Sequence, residues 1–192
     1  MAPETQFSAG RIIDAAISIT RAQGIAFVTA RSLAKELKCS VKPIFTAFDN
    51  MDEVISATAE RAKGIFVDFM QQPYEKLSFM RIGLRWIDFS RSEPNLYKLL
   101  FVPAVRGARL TTPLNVFMNF EGLTEKVIPI IVDEFGLDRE HAYRLYNQMI
   151  IHAHGMACIL VSGQTDFNEQ SIREIFSETV ESLVEHYKNR EE

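Results

Sequence analysis

The chain has 192 residues, is 47% apolar and 24% charged, and carries a formal net charge of −4. Such a composition suits a globular chain with a real core and excludes intrinsic disorder. It also excludes a uniformly basic surface, so any nucleic-acid site must be local. Cys39 and Cys158 lie in different segments with no CxxC or Cys/His cluster around them. The expected setting is a reducing cytoplasm without a disulfide framework. Residues 1–10 do not read as a signal peptide, and no apolar run reaches the ~18 residues that a membrane span needs.

Helical periodicity dominates throughout, and the expected fold class is all-α with about nine helices. Over residues 8–23, Ile12, Ala15, Ala16 and Ile19 share one face. Ser8 can cap that helix and Gly24 stops it. Thr29 can cap a second, short helix over about 30–37, with Leu33, Ala34 and Leu37 inward. Lys38 and Cys39 form a tight break before a third helix over about 41–47, with Ile44 and Phe45. Asn50 to Glu53 resembles a capping box opening a fourth helix to about residue 71.

Pro73 marks the next break, and about 74–91 is helical again. Pro94 takes the tolerated first position of another short helix. Residues 103–113, with Pro103, Gly107 and Pro113, read as a loop. Residues 114–135 read as helix that Pro129 should kink or split. Asp138 caps a long helix to about Ser162, ended by Gly163, and a last amphipathic helix covers about 169–188. The expected domains are 1–50 and 51–192, joined by the fourth helix.

Residues 29–48, TARSLAKELKCSVKPIFTAF, place two short helices across a three-residue turn. Ala34 is small where they would cross, and Leu33, Leu37, Ile44 and Phe48 can fill a shared core. This is helix-turn-helix grammar, although short helix pairs in bundles look similar. The first fifty residues carry six basic and four acidic side chains, a local net of +2. Basic charge thus gathers where phosphate would be met, an excess that a merely solvated face can also show.

Residues 11–63 resemble the DNA-binding domain of the tetracycline-repressor (TetR) family. The matching elements are Ile12-Ile13-Asp14-Ala15-Ala16, Gly24, Arg31-Ser32-Leu33-Ala34, Cys39-Ser40, Ile44-Phe45, Phe48 and Asn50 to Val54, in order and without a gap. Beyond residue 64 the chain is similar to the family in layout, with phrases such as Phe89 to Leu96, Leu99 to Phe101, His154-Gly155 and Val161 to Gly163.

The resemblance implies a third helix in the major groove, with Ser40, Val41, Lys42, Pro43 and Thr46 facing double-stranded DNA. Lys42 would contact a base or phosphate, and Val41 and Pro43 could meet thymine methyl groups. Thr29 and Arg31 would hold a phosphate at the start of the second helix, while Phe45 and Phe48 pack the small core. The family often has Tyr at the place of Phe45 and Lys at the place of Met51. Their loss implies weaker, less salt-dependent binding.

The resemblance further implies a homodimer through the last two helices, with Ile151, Gly155, Ile159, Ile172, Phe176, Thr179 and Leu183 at the interface. Simple intramolecular packing is the competing account of that apolar surface. It also implies release from a pseudo-palindromic operator, with repression the default, when an unknown small molecule binds the larger domain. Fourteen Phe and seven Met suit either an ordinary core or an adaptable cavity. The lining candidates are Phe66, Phe69, Met70, Arg85, Trp86, Phe89, Phe117, Phe120 and His152, with Arg85 placed to meet an anion.

Catalytic motifs are absent: there is no GxSxG, HExxH, GxxxxGK[ST] or GxGxxG. His154 and Cys158 share a helix face, but two ligands without a third do not make a metal site. Neither a cofactor nor an enzymatic activity is therefore expected. The competing readings are a helical small-molecule carrier or enzyme with a vestigial DNA-binding domain, and a dimeric protein-interaction module using residues 29–48.

Overall fold

A computed structural model describes residues 7–73, 78–102, 122–163 and 167–189. Among them are nine α-helices, one 3-10 turn and no strand. In chain order these are α1 (Ala9–Gln23), the turn Ile25–Phe27, α2 (Ala30–Glu36), α3 (Lys42–Ala47), α4 (Met51–Met70), α5 (Phe79–Ser92), α6 (Pro94–Phe101), α7 (Leu123–Phe135), α8 (Arg139–Ser162) and α9 (Glu169–Lys188). The expected loop at 103–113 and the expected helical stretch 114–121 lie outside the described residues.

Helix starts follow the polar residues that the sequence offers. Ser8 Oγ accepts the Arg11 N–H at 3.4 Å, Asp138 accepts from His141 N–H at 2.8 Å, and Asn168 accepts from Ser171 N–H at 2.9 Å. At α4, Asn50 Oδ1 accepts the Glu53 N–H at 2.9 Å while Glu53 Oε2 accepts the Asp49 N–H at 2.7 Å. Each such bond satisfies a first-turn donor that the helix itself cannot reach. Gly24, at φ 98°, ends α1 in backbone that side-chain-bearing residues rarely adopt. Pro129 does not interrupt α7, which runs unbroken from Leu123 to Phe135. Both Pro129 and Glu125, four residues earlier, are exposed. The carbonyl deprived of its intrahelical donor therefore lies on the solvent side, where water can replace the missing bond.

The described residues form two compact units: 7–68 with 93–102, and 69–92 with 122–189. The first unit extends along α4 to residue 68 and includes α6, because α6 docks on α1. Arg21 makes a forked pair with Glu93, Nε 3.0 Å from both carboxylate oxygens and Nη2 2.7 Å from Oε1. Asn95 Nδ2 donates to the Arg21 carbonyl at 2.9 Å. Planar guanidinium–carboxylate pairing of this kind fixes orientation as well as adding attraction. The unit's core holds Ile12, Ala16, Leu33, Ile44, Val54 and Phe66, and the Phe66 ring meets Phe101 edge-on at 5.0 Å.

In the second unit α5 packs on α8 and α9, and α7 on α8. Ile82, Trp86, Ile87 and Phe89 of α5 meet a core that includes Ile128, Ile131, Leu145, Met149, Ala153, Phe176 and Val180. Gly83 is required for that fit: a Cβ there would lie 2.3 Å from Phe176 Cζ, so the ring rests directly on the α5 backbone. Glu134 Oε2 accepts the Phe79 N–H at 2.7 Å, tying α7 to the start of α5. Tyr187 donates to Gln148 Oε1 at 3.0 Å, closing the far end of α9 on α8. No described helix is long and apolar enough to cross a membrane.

Candidate nucleic-acid interface and effector cavity

Two local devices hold residues 29–48 in shape. The first is a capping box at α2: Thr29 Oγ1 accepts the Ser32 N–H at 3.1 Å, and Ser32 Oγ accepts the Thr29 N–H at 2.9 Å. The Ser32 hydroxyl also donates to the Phe27 carbonyl at 2.7 Å, drawing the 3-10 turn onto α2. The second device is the break after α2. Lys38 takes φ 53°, the one non-glycine residue in left-handed backbone among those described, and Cys39 N–H returns to the Ala34 carbonyl at 2.9 Å. Leu33, Ala34, Ile44 and Phe48 are then buried together with the inner face of α1.

The opposite face points to solvent. Thr29, Arg31, Ser40, Val41, Lys42 and Thr46 are exposed, and Pro43 is half-buried at the start of α3. Thr46 Oγ1 donates to the Lys42 carbonyl at 2.9 Å, so that hydroxyl hydrogen is already used within α3. Between residues 29 and 48 there are four cations, Arg31, Lys35, Lys38 and Lys42, against the single carboxylate Glu36. All five are exposed.

One assignment in this segment is corrected. Phe45 does not pack the small core with Phe48, which is buried; it is 48% exposed. The helical spacing explains this, because residues four apart share a face and Val41, 42% exposed, already points outward. The register of Val41 was the sequence signal that could have placed Phe45. Phe27, 56% exposed on the unforeseen 3-10 turn, had no comparable signal.

The second unit contains a small apolar cavity of about 30 Å³. Met70 and Trp86 line it, as the sequence suggested, together with Phe79, Gly83, Tyr146, Met149 and Phe176. Among the described residues that line it none is charged, and of these only Trp86 and Tyr146 bring side-chain N–H and O–H groups. Burial pushes the Tyr146 phenol upward, against a smaller opposing effect of its hydrogen bond with Thr124. The cavity has room for about one water, far below the hundreds of cubic ångströms of a small-molecule site.

Other lining candidates lie elsewhere. Phe66 sits in the core of the first unit against Phe101. Phe69 and Phe89 pack edge-on at 5.3 Å, outside the cavity lining. Arg85 does not await an anion: its guanidinium donates to the carbonyls of Met70 and Pro73, both at 3.3 Å, and to that of Gln72. It caps the end of α4, where four carbonyls lack intrahelical donors. His152 lies against the Phe176 ring at 6.0 Å between centroids. Its Nε2 is buried without a hydrogen-bond partner among the described residues. Phe117 and Phe120 fall outside the described residues.

The expected interface residues divide in two. Ile172 and Phe176 are buried within their own chain, so they have no surface left for a partner. That is a correction, and its cause is the Phe176–Gly83 contact, which uses the inner face of α9. On α8, by contrast, Ile151 is 54% and Ile159 46% exposed, with Gly155 exposed between them. Among the described residues a Cβ on Gly155 would meet nothing within 4 Å. Thr179 and Leu183 are half-buried, four residues apart on α9. Among the described residues no group of three His, Cys, Asp or Glu side chains could hold a metal ion. His154 and Cys158 do approach, with Sγ 3.4 Å from Nε2.

The sequence matches no protein-family model and no curated protein. Among solved structures, TetR from Acinetobacter baumannii AYE is similar over 94% of this chain and 96% of its own, with TM-score 0.57 and 19% identity. A variant of that protein in complex with minocycline is similar over 95% and 97%, with TM-score 0.55 and 18% identity. The multidrug binding protein EbrR complexed with imidazole is similar over 88% and 93%, with TM-score 0.53 and 21% identity. The chain has the all-α fold of the tetracycline-repressor family, as the resemblance in residues 11–63 implied.

Proposed function

We propose that the chain is a homodimeric, ligand-responsive DNA-binding transcriptional regulator, by default a repressor, whose second helix–turn–helix segment, α3, enters the major groove. The observation that carries this reading is the outward face of residues 29–48. A helix pair there, its first helix held by the Thr29–Ser32 capping box, exposes Ser40, Val41, Lys42, Phe45 and Thr46 within a local excess of cations, in a chain that is acidic overall. Phosphates are attracted by Arg31, Lys35, Lys38 and Lys42, and sequence is read by what α3 presents to base edges. Thr29 and Arg31, exposed at the start of α2, are placed by this reading at a phosphate.

One six-residue helix reads too few base pairs to be selective, so two copies are needed on a pseudo-palindromic operator. The exposed Ile151–Gly155–Ile159 stripe supports pairing through α8. The apolar cavity supports an uncharged, largely apolar effector. Such a ligand would have to expand the cavity, and it weakens DNA binding only through its different affinities for the DNA-bound and DNA-free forms. Minocycline and imidazole are the ligands of the similar structures, and neither is assigned to this chain.

The test is binding to a labelled duplex from the chain's own upstream region. Wild type should bind it in preference to unrelated DNA. Lys42→Ala should bind at least tenfold more weakly, with a salt slope about one unit shallower and unchanged mass in solution. Equal affinity of the two proteins would remove α3 from the interface.

A further inference from the structure

The face that α3 turns outward is poor in the groups that usually read bases. Residues 40–47, SVKPIFTA, contain no Arg, Asn, Gln, Asp or Glu. Together with Lys, those are the side chains that make bidentate bonds to guanine or adenine, or accept from cytosine, so Lys42 alone of that set is present here. The remaining polar groups are Ser40, Lys42 and Thr46. The Thr46 donor is committed to the Lys42 carbonyl at 2.9 Å. Lys42 is a single flexible point charge, suited to phosphate as well as to a base.

What the face does offer is apolar. Val41, at the N-cap of α3, and Phe45 are four residues apart, 42% and 48% exposed, and share one face beside the line of Lys42 and Thr46. Pro43, half-buried beside them, fixes the start of the helix. In the major groove the apolar feature that separates one base pair from another is the C5-methyl of thymine.

From this we infer that α3 reads its half-site chiefly through thymine methyl groups, with Val41 and Phe45 as the specificity-determining side chains and the surrounding cations supplying affinity without sequence preference. The inference rests on the DNA-binding reading above and adds the chemistry by which the site chooses its sequence. The preferred half-site then holds one or more thymines where the Val41 and Phe45 side chains meet the groove. Hydrogen-bonding patterns of guanine and cytosine matter less there.

The experiment uses the full chain and duplexes selected by it from a random pool. Each thymine of the selected half-site is replaced in turn by deoxyuridine, which removes the methyl and leaves every hydrogen-bonding group in place. In a parallel series each guanine is replaced by 7-deazaguanine, which removes the N7 acceptor. Loss of one buried methyl contact should weaken wild-type binding about fourfold at one or more thymine positions. Val41→Ala or Phe45→Ala should bind the substituted and unsubstituted duplexes equally at the matching position. Both residues are exposed, so the variants keep the small core.

If no deoxyuridine substitution changes affinity while 7-deazaguanine does, the helix reads hydrogen-bonding edges and the inference is overturned. If methyl loss matters but both alanine variants stay equally sensitive, the assignment to Val41 and Phe45 is overturned. If the chain enriches no sequence at all from the pool, the DNA-binding reading itself fails, and the inference with it.

Discussion

His152 and His154 sit on α8, and burial holds both imidazoles below the usual value of 6.5. The unfolded chain therefore takes up protons that the folded chain resists as pH falls below 6.5. Their contribution to stability is complete above that pH and is lost as pH drops toward the folded values. Burial raises the Asp88 carboxyl above 3.8, ahead of the opposing attraction of Arg173 and Arg91. Its effect has the opposite sign and belongs to lower pH. The melting temperature should fall from pH 7.5 to pH 5.5, and a His152→Gln/His154→Gln double variant should lose less over the same interval. A melting temperature that rises on acidification would contradict the burial of these rings. The orphaned Nε2 of His152 adds a further cost, typically about 1–3 kcal/mol for a buried polar atom without a partner.

At the scale of elements, the turn between α2 and α3 sets where every outward residue points. Lys38 holds left-handed backbone there without glycine's freedom. Lys38→Gly is expected to leave the urea midpoint unchanged or raise it. Lys38→Val, branched at Cβ, should cost about 1–2 kcal/mol. Equal midpoints for the two variants would mean that the turn tolerates either backbone. The starts of α1, α2, α4 and α8 were legible in the sequence because Ser8, Thr29, Asn50 and Asp138 announce themselves, whereas α5, expected from about residue 74, begins at Phe79 without such a signal. Phe45 could have been placed from Val41 by spacing alone. Other features depend on partners distant in sequence. Arg85 lies 15 residues from the Met70 carbonyl it caps, and Glu93 lies 72 residues from Arg21. No local pattern reveals those pairings, so the docking of α6 on α1 and the extent of the first unit had to come from the structure. Likewise, whether Trp86 lines a cavity while Phe89 packs against Phe69 is decided by three-dimensional packing rather than by residue type.

For the whole molecule the decisive feature is the outward stripe of α8. Glycine inside a helix costs about 1 kcal/mol relative to alanine, and no packing among the described residues requires it at position 155. A partner helix approaching closely would require it. Gly155→Leu should therefore give a folded chain of monomer mass, with helix content and melting at least those of a wild-type monomer, and with selective DNA binding lost. A Gly155→Leu protein that remains dimeric would move the interface to other surfaces.

Two-fold pairing through α8 and groove entry by α3 together predict a definite footprint. Hydroxyl-radical protection of the chain's own upstream DNA should show two protected segments on one face of the duplex, their centres one helical turn or a multiple of it apart. Both should need at least tenfold more protein in Lys42→Ala. A single protected segment, or protection that Lys42→Ala gives at the same protein concentration, would contradict the account.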